Sequence, residues 1–165
     1  MASKPSPDFL AILRTLLRHR VDCIVVGGVC AALHGATITT FDLDVVHSRA
    51  PENLANLQKA LKDLDARYRT PGNQDRRPAL SHLSSPGHQL LMTNAGPLDL
   101  LGAIGEGHTY EDLIKETIEL DAGRGLIVRV LGLAALIRIK EETAQEKDRA
   151  QLAILRRTLE EKSRR

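Results

Sequence analysis

The sequence predicts an α/β fold, a short sheet covered by helices with a helical pair closing the chain. Three observations carry this. Apolar runs of strand length, Ile24-Val25-Val26 and Phe41 to Val46, alternate with helical stripes. One stripe is Phe9, Ile12, Leu13 and Leu16, and another is Leu54, Leu57, Leu61 and Leu64. Finally, 165 residues with 42% hydrophobic side chains suffice for one domain with a real core. We take residues 1–165 as one domain, with its core over about 20–130 and closing helices over about 131–163.

The first helix spans the Phe9 stripe and is entered through Pro5-Ser6-Pro7. Asp22 to Val26 follows as a buried strand, Gly27-Gly28 as its sharp exit, and Val29 to His34 as a short helix closed by Gly35. A second strand runs from Phe41 to His47. Pro51 suits a first helical position, where its missing N–H costs nothing, and opens the Leu54 helix. Residues 70–88 are rich in proline and glycine, which favours an excursion around a short strand near Ala79–Leu83. His88–Met92 and Leu98–Leu101 read as a hairpin joined by Thr93-Asn94-Ala95-Gly96-Pro97. Thr109 and Asp112 form a capping-box pattern opening a helix through Glu116. Ile118–Leu120 and Ile127–Val130 are further short strands, and helices close the chain from Leu131.

Composition excludes several function classes. No stretch approaches the roughly 20 apolar residues that span a bilayer, and Met1-Ala2-Ser3-Lys4-Pro5 lacks an apolar signal segment, so no membrane partner and a cytoplasmic location are expected. Cys23 and Cys30 form no CxxC pair and are expected as buried free thiols. The six histidines are scattered without zinc-ligand spacing. With Phe9, Phe41, Tyr68 and Tyr110 as the only aromatics, a base-stacking platform for single strands is not supported. The net charge is only +2, with the positive excess towards the C-terminal end, where a solvated helix face accounts for it as well as a polyanion site does.

The chemistry-bearing residues stand out against this background. In Phe41-Asp42-Leu43-Asp44-Val45-Val46 the two carboxylates share one face of a strand, about 6–7 Å apart along the chain, while Leu43 and Val45 pack on the other. Charges in an apolar strand are costly unless compensated. A hard divalent cation suits oxygen ligands at this spacing, and Mg²⁺ characteristically combines one or two carboxylates with substrate phosphates. Asp99, within Pro97-Leu98-Asp99-Leu100-Leu101, is a third such carboxylate. If its strand neighbours that of Asp42 and Asp44, the three converge on a site for two cations and in-line phosphoryl transfer. Gly27-Gly28 supplies a side-chain-free turn into a helix N-terminus, fit for a phosphate, and lacks the surrounding pattern of a P-loop or of a dinucleotide fold.

Together these motifs resemble the nucleotidyltransferase superfamily typified by polymerase-beta-like enzymes: a Gly-Gly turn, thirteen residues, Asp42-x-Asp44, and later a single strand Asp, Asp99. Gly27-Gly28-Val29-Cys30-Ala31, His34-Gly35 and Thr40-Phe41-Asp42-Leu43-Asp44 are similar to the minimal bacterial, toxin-like branch, as is the segment from Leu133 to Asp148. The resemblance implies a short mixed, twisted sheet flanked by helices, and Asp42, Asp44 and Asp99 as catalytic metal ligands for Mg²⁺ or Mn²⁺. It further implies nucleotide or phosphate contacts from Gly27, Gly28, Thr40, Lys140 and Lys147. The implied reaction moves a nucleoside monophosphate from an NTP such as ATP to a hydroxyl and releases pyrophosphate. Acceptors in keeping with the resemblance are an RNA end such as that of tRNA, a protein, or a small molecule, with an antitoxin protein as a further partner in a toxin–antitoxin setting.

One departure matters. The branch carries an arginine between His-Gly and Thr-x-Asp, where this chain has Ile38; Arg76, Arg77, Lys140 and Lys147 are candidate replacements. Ile38 also supports the alternative of a catalytically degenerate domain that binds nucleotide, metal or a partner. Lys140 shares a helix face with Leu133, Leu136 and Ile137, and can pair with Asp148 or border a nucleotide pocket. His34 is read as a partly buried histidine and His47 as a non-ligand.

Overall fold

The computed structural model describes residues 6–165. The opening segment discussed above, Met1–Pro5, lies outside the described residues. In chain order the elements are α1 (Phe9–Arg18), β1 (Cys23–Val26), α2 (Gly27–Leu33), β2 (Leu43–His47), α3 (Pro51–Asp63), β3 (Arg67–Tyr68), α4 (Leu80–Leu83) and β4 (His88–Thr93). They continue as β5 (Gly96–Leu101), β6 (Ala103–Ile104), β7 (His108–Thr109), α5 (Tyr110–Leu113), β8 (Thr117–Asp121), β9 (Ile127–Leu131), α6 (Leu133–Glu142) and α7 (Arg149–Ser163).

Seven strands form one mixed sheet in the order β3-β4-β5-β2-β1-β9-β8, and β6 with β7 forms a small separate ladder. Within the large sheet, β2 pairs parallel with β5 and antiparallel with β1, and β1 pairs parallel with β9. Cross-strand partners share a sheet face. The row Leu43, Leu98 and Leu91 therefore lies on one face, and all three are fully buried. The adjacent row, Val26, Asp44, Asp99 and Leu90, lies on the other. Leu13 and Leu16 of α1 meet Val25 on the first face, whereas Leu136, Ile139 and Leu155 of α6 and α7 face Val26 and Asp44 across the second.

Local chemistry explains the elements. Asp8 caps α1, its side chain accepting from Ala11 N–H at 3.0 Å, and Ile12, Leu13 and Leu16 are buried as the stripe requires. Pro51 opens α3 in its first turn. Thr109 and Asp112 make the reciprocal capping box of α5, which a 3₁₀ turn extends to Glu116.

The structure corrects three boundaries. Ala79–Leu83 is no strand: Leu80–Leu83 is one helical turn, closed by His82 Nδ1 accepting from Ala79 N–H at 3.2 Å, with Leu83 plugging the core. The i, i+3 spacing of Leu80 and Leu83 is the helical signal in that segment. The helix expected over Val29 to His34 begins earlier, at Gly27, directly at the end of β1. The strand expected from Phe41 begins at Leu43, after a bend at Phe41-Asp42.

Candidate active site

Parallel pairing of β2 with β5 sets Asp44 directly opposite Asp99. Asp42, two residues before Asp44, projects to the same side, and ligand oxygens of Asp42, Asp44 and Asp99 lie within 4.8 Å of one another. Three like charges this close repel strongly where solvent screening is weak. Burial, reinforced by hydrogen bonding and charge from Asp99 and by the charge of Asp42, pushes the Asp44 carboxyl up to about 8. Asp42 is also held above the usual carboxylate range, by burial first and then by Asp99. Asp99 is only 8% exposed.

Arg69, which follows β3, supplies the missing positive charge. Its Nη1 lies 2.5 Å from Asp99 Oδ1 and its Nη2 3.4 Å from Asp42 Oδ2, while Nη1 donates to the Leu91 carbonyl at 2.9 Å. Asp99 Oδ1 is buried, and the Arg69 guanidinium, shared with the Leu91 carbonyl, is the positive group against it. Three carboxylates whose oxygens converge this closely, with a single guanidinium against them, are a donor set suited to a hard cation.

The diglycine turn fits against this cluster. Gly27 has φ +68°, a conformation that favours glycine, and a Cβ there would collide with the Asp44 carboxylate. A Cβ on Gly28 would come within 2.7 Å of Thr40 Oγ1. Thr40 donates its hydroxyl to the Asp42 carbonyl at 3.0 Å, which pins the bend before β2. A cavity of about 390 Å³ opens beside these residues, lined by Gly27, Gly28, Thr40, Asp42 and Asp44 together with the apolar Leu101, Ile104, Leu136 and Leu155. Lys140 and Gln151 reach it from the closing helices, Ile38 lines its wall, and Phe41 stands at its rim 74% exposed.

Lys140 Nζ also lies 3.7 Å from Asp148, so it makes the structural pair and borders the cavity as well. Lys147 is exposed and is not among the residues lining the cavity. Arg76 and Arg77 sit on the loop beyond β3 and line a different cavity. His34 is buried: a lysine ammonium only donates, so Nδ1 accepts from Lys162 Nζ at 2.7 Å and Nε2 donates to the Leu131 carbonyl at 2.8 Å. His47 is likewise buried, its Nε2 at 2.8 Å from the Leu83 carbonyl, away from the carboxylates. Cys23 and Cys30 are free, and burial pushes both thiols up to about 12.

Sequence reasoning missed Arg69. A usable signal lay in Arg67-Tyr68-Arg69, where strand alternation puts both arginines on one face and the tyrosine on the other.

No family model matches the chain, and comparison with curated proteins finds no match. Among solved structures, a Thermotoga maritima protein described as a "putative nucleotidyltransferase" superposes with a TM-score of 0.57 over 93% of this chain and 91% of its own, at 16% identity. No helix among the described residues is long and apolar enough to cross a membrane. With the mixed sheet, its flanking helices and this superposition in agreement, the chain has the nucleotidyltransferase fold.

Proposed function

We propose that this protein is a metal-dependent nucleotidyltransferase that moves a nucleoside monophosphate from an NTP to an acceptor hydroxyl. The observation that carries the reading is the convergence of Asp42, Asp44 and Asp99 beside the Gly27-Gly28 turn. Asp42, Asp44 and Asp99 would hold Mg²⁺ or Mn²⁺, which when bound would neutralise charge on the phosphates and on the attacking oxygen. The chain's own residues would do the rest. Gly27 and Gly28 leave the backbone open to phosphate oxygens, Lys140 offers a cation at the cavity wall, and the apolar side chains of Leu136 and Leu155 in the same lining would pack against the nucleoside. Phe41 offers a ring at the rim on which a base can stack. Arg69 balances the carboxylates themselves, and Lys140 is the cation beside Ile38 in the cavity lining that would meet a phosphate.

The acceptor oxygen attacks the α-phosphorus, the bond to the bridging oxygen of pyrophosphate breaks, and pyrophosphate leaves with the electron pair. Catalysis is then mostly positioning and charge neutralisation. The test is incubation with α-labelled NTPs and Mg²⁺ in the presence of total RNA and of cell lysate. Transfer of label that is lost in Asp42→Ala supports the reading. NTP binding without any transfer would instead favour the degenerate, binding-only domain.

A further inference from the structure

Three convergent carboxylates suggest a pair of divalent cations, held about 3.5–4 Å apart by shared ligands. In this chain one edge of the cluster is already taken. The Arg69 guanidinium spans two of the three acids, with Nη1 2.5 Å from Asp99 Oδ1 and Nη2 3.4 Å from Asp42 Oδ2. A small divalent cation between those same two oxygens needs each of them at about 2.0–2.1 Å, and the guanidinium fills that space. Arg69 is also fixed at both ends. Its backbone N–H donates to the Leu90 carbonyl at 3.1 Å, its Nη1 donates to the Leu91 carbonyl at 2.9 Å, and Tyr68 before it is paired with Leu91 in the ladder. A planar fork held in this way is organised before any ligand arrives.

Charge leads to the same count. Cation binding requires the carboxylate form, and with Asp42, Asp44 and Asp99 all ionised one guanidinium leaves the cluster with two negative charges. One divalent cation balances them, whereas a second would leave excess positive charge where screening is weak. The acids also divide by location. Asp42 and Asp44 line the cavity beside Gly27-Gly28 and Lys140, while Asp99 and Arg69 are not among its lining residues. The edge open to a cation is therefore that of Asp42 and Asp44, on the side of the diglycine turn.

Resting on the metal-dependent reading above, we infer that the site takes one divalent cation, on Asp42 and Asp44, and that Arg69 serves as a built-in second cation on Asp99. Asp99 then positions Arg69 instead of completing the shell of a second metal. The two kinds of cation differ chemically. A guanidinium supplies fixed charge and N–H donors, so Arg69 can steady a negative oxygen by hydrogen bonding and by its field. It cannot ligate that oxygen as a metal does.

The test counts Mn²⁺ on the full chain saturated with α,β-methylene-ATP, by equilibrium dialysis and by electron paramagnetic resonance. The second method detects the spin coupling of two Mn²⁺ held about 3.5–4 Å apart. Wild type is expected to bind one Mn²⁺ with an uncoupled signal. Arg69→Met should gain a second, spin-coupled Mn²⁺, and adding Asp99→Asn to that variant should remove it again. Two coupled Mn²⁺ on wild type overturn the inference whether or not the variants fold, and leave the transferase reading standing. A single Mn²⁺ on folded Arg69→Met, or a second one that survives Asp99→Asn, also overturns it. No Mn²⁺ on wild type, with or without the nucleotide, defeats the metal-dependent reading and this inference with it. One Mn²⁺ on wild type without transfer of label from NTP to any acceptor defeats the transferase reading alone.

Discussion

Arg69 Nη1 and Asp99 Oδ1 lie 2.5 Å apart, although Arg69 follows the edge strand β3 and Asp99 lies on β5, with β4 between the two strands. With its side chain 25% exposed, Arg69 is the countercharge that lets three acidic groups share one face in the absence of a bound cation. Replacing it with Met keeps the stem and removes the charge. We expect Arg69→Met to cost about 1–3 kcal/mol in EDTA at pH 8 and less at pH 5, where the carboxylates hold protons. Added Mn²⁺ should restore part of the loss. Urea unfolding with and without the metal is the check, and equal stabilities of wild type and variant at pH 8 would contradict the role.

The raised Asp44 sets a pH dependence whose sign is fixed. Its carboxyl, up to about 8 in the folded chain against 3.8 ordinarily, stays protonated after the unfolded chain has lost that proton. The folded state thus binds more protons between roughly pH 4 and 8, and stability must fall as pH rises through that window. Asp42 shifts in the same direction. Metal binding runs the other way, because a cation requires the carboxylate form. Mn²⁺ affinity should therefore climb by up to about tenfold per pH unit below 8. Calorimetry at pH 6, 7 and 8 reads both the affinity and the released protons; a pH-independent affinity would refute the assignment.

Gly27 offers a separate handle on the same cluster. Alanine there must adopt φ +68° and push its methyl into the Asp44 carboxylate. The backbone strain costs about 1–3 kcal/mol, and displacing Asp44 should reduce Mn²⁺ affinity by at least about tenfold. Gly35→Ala is the contrast: it has a similar left-handed backbone, φ +99°, but open space around its Cβ. It should lose comparable stability while keeping metal affinity.

These residues differ in how far the sequence betrays them. Asp42 and Asp44 were legible as a pair two residues apart in an apolar run; Asp44 lies on β2 while Asp42 sits on the bend before it, yet the two still converge as the spacing suggested. Asp99 was legible as a buried oddity, but its place opposite Asp44 follows from parallel pairing of β2 and β5, a long-range register that one sequence does not encode locally. Arg69 was hidden because β3 is two residues long and has no apolar alternation; its direction comes from pairing with β4, Arg67 to Met92 and Tyr68 to Leu91. The segment around Leu80–Leu83 misled for the opposite reason, since prolines on both sides masked a single helical turn.

The core row beneath the site tests the register itself. Leu98 is fully buried between Leu43 and Leu91, on the face opposite Asp99. Leu98→Ala should destabilise by about 2–5 kcal/mol without touching a carboxylate, so metal affinity measured on the folded protein should stay near wild type. A register slipped by one residue would exchange the two faces and place Leu98 in the site. In that case the same substitution would cost little stability and alter metal binding instead.

Phe41 separates the nucleoside from the metal. At 74% exposed it contributes almost nothing to the core, so Phe41→Ser should leave the unfolding midpoint unchanged. If a base stacks on this ring at the rim of the cavity, its loss removes about 1–3 kcal/mol of binding. ATP affinity should then fall by roughly 5–150-fold, while Mn²⁺ affinity in the absence of nucleotide remains as it was. Tripolyphosphate, which has no base to stack, should bind wild type and variant equally. A variant that loses affinity for ATP and tripolyphosphate alike would move Phe41 from the base to the phosphates, one residue before Asp42 on the bend that Thr40 pins.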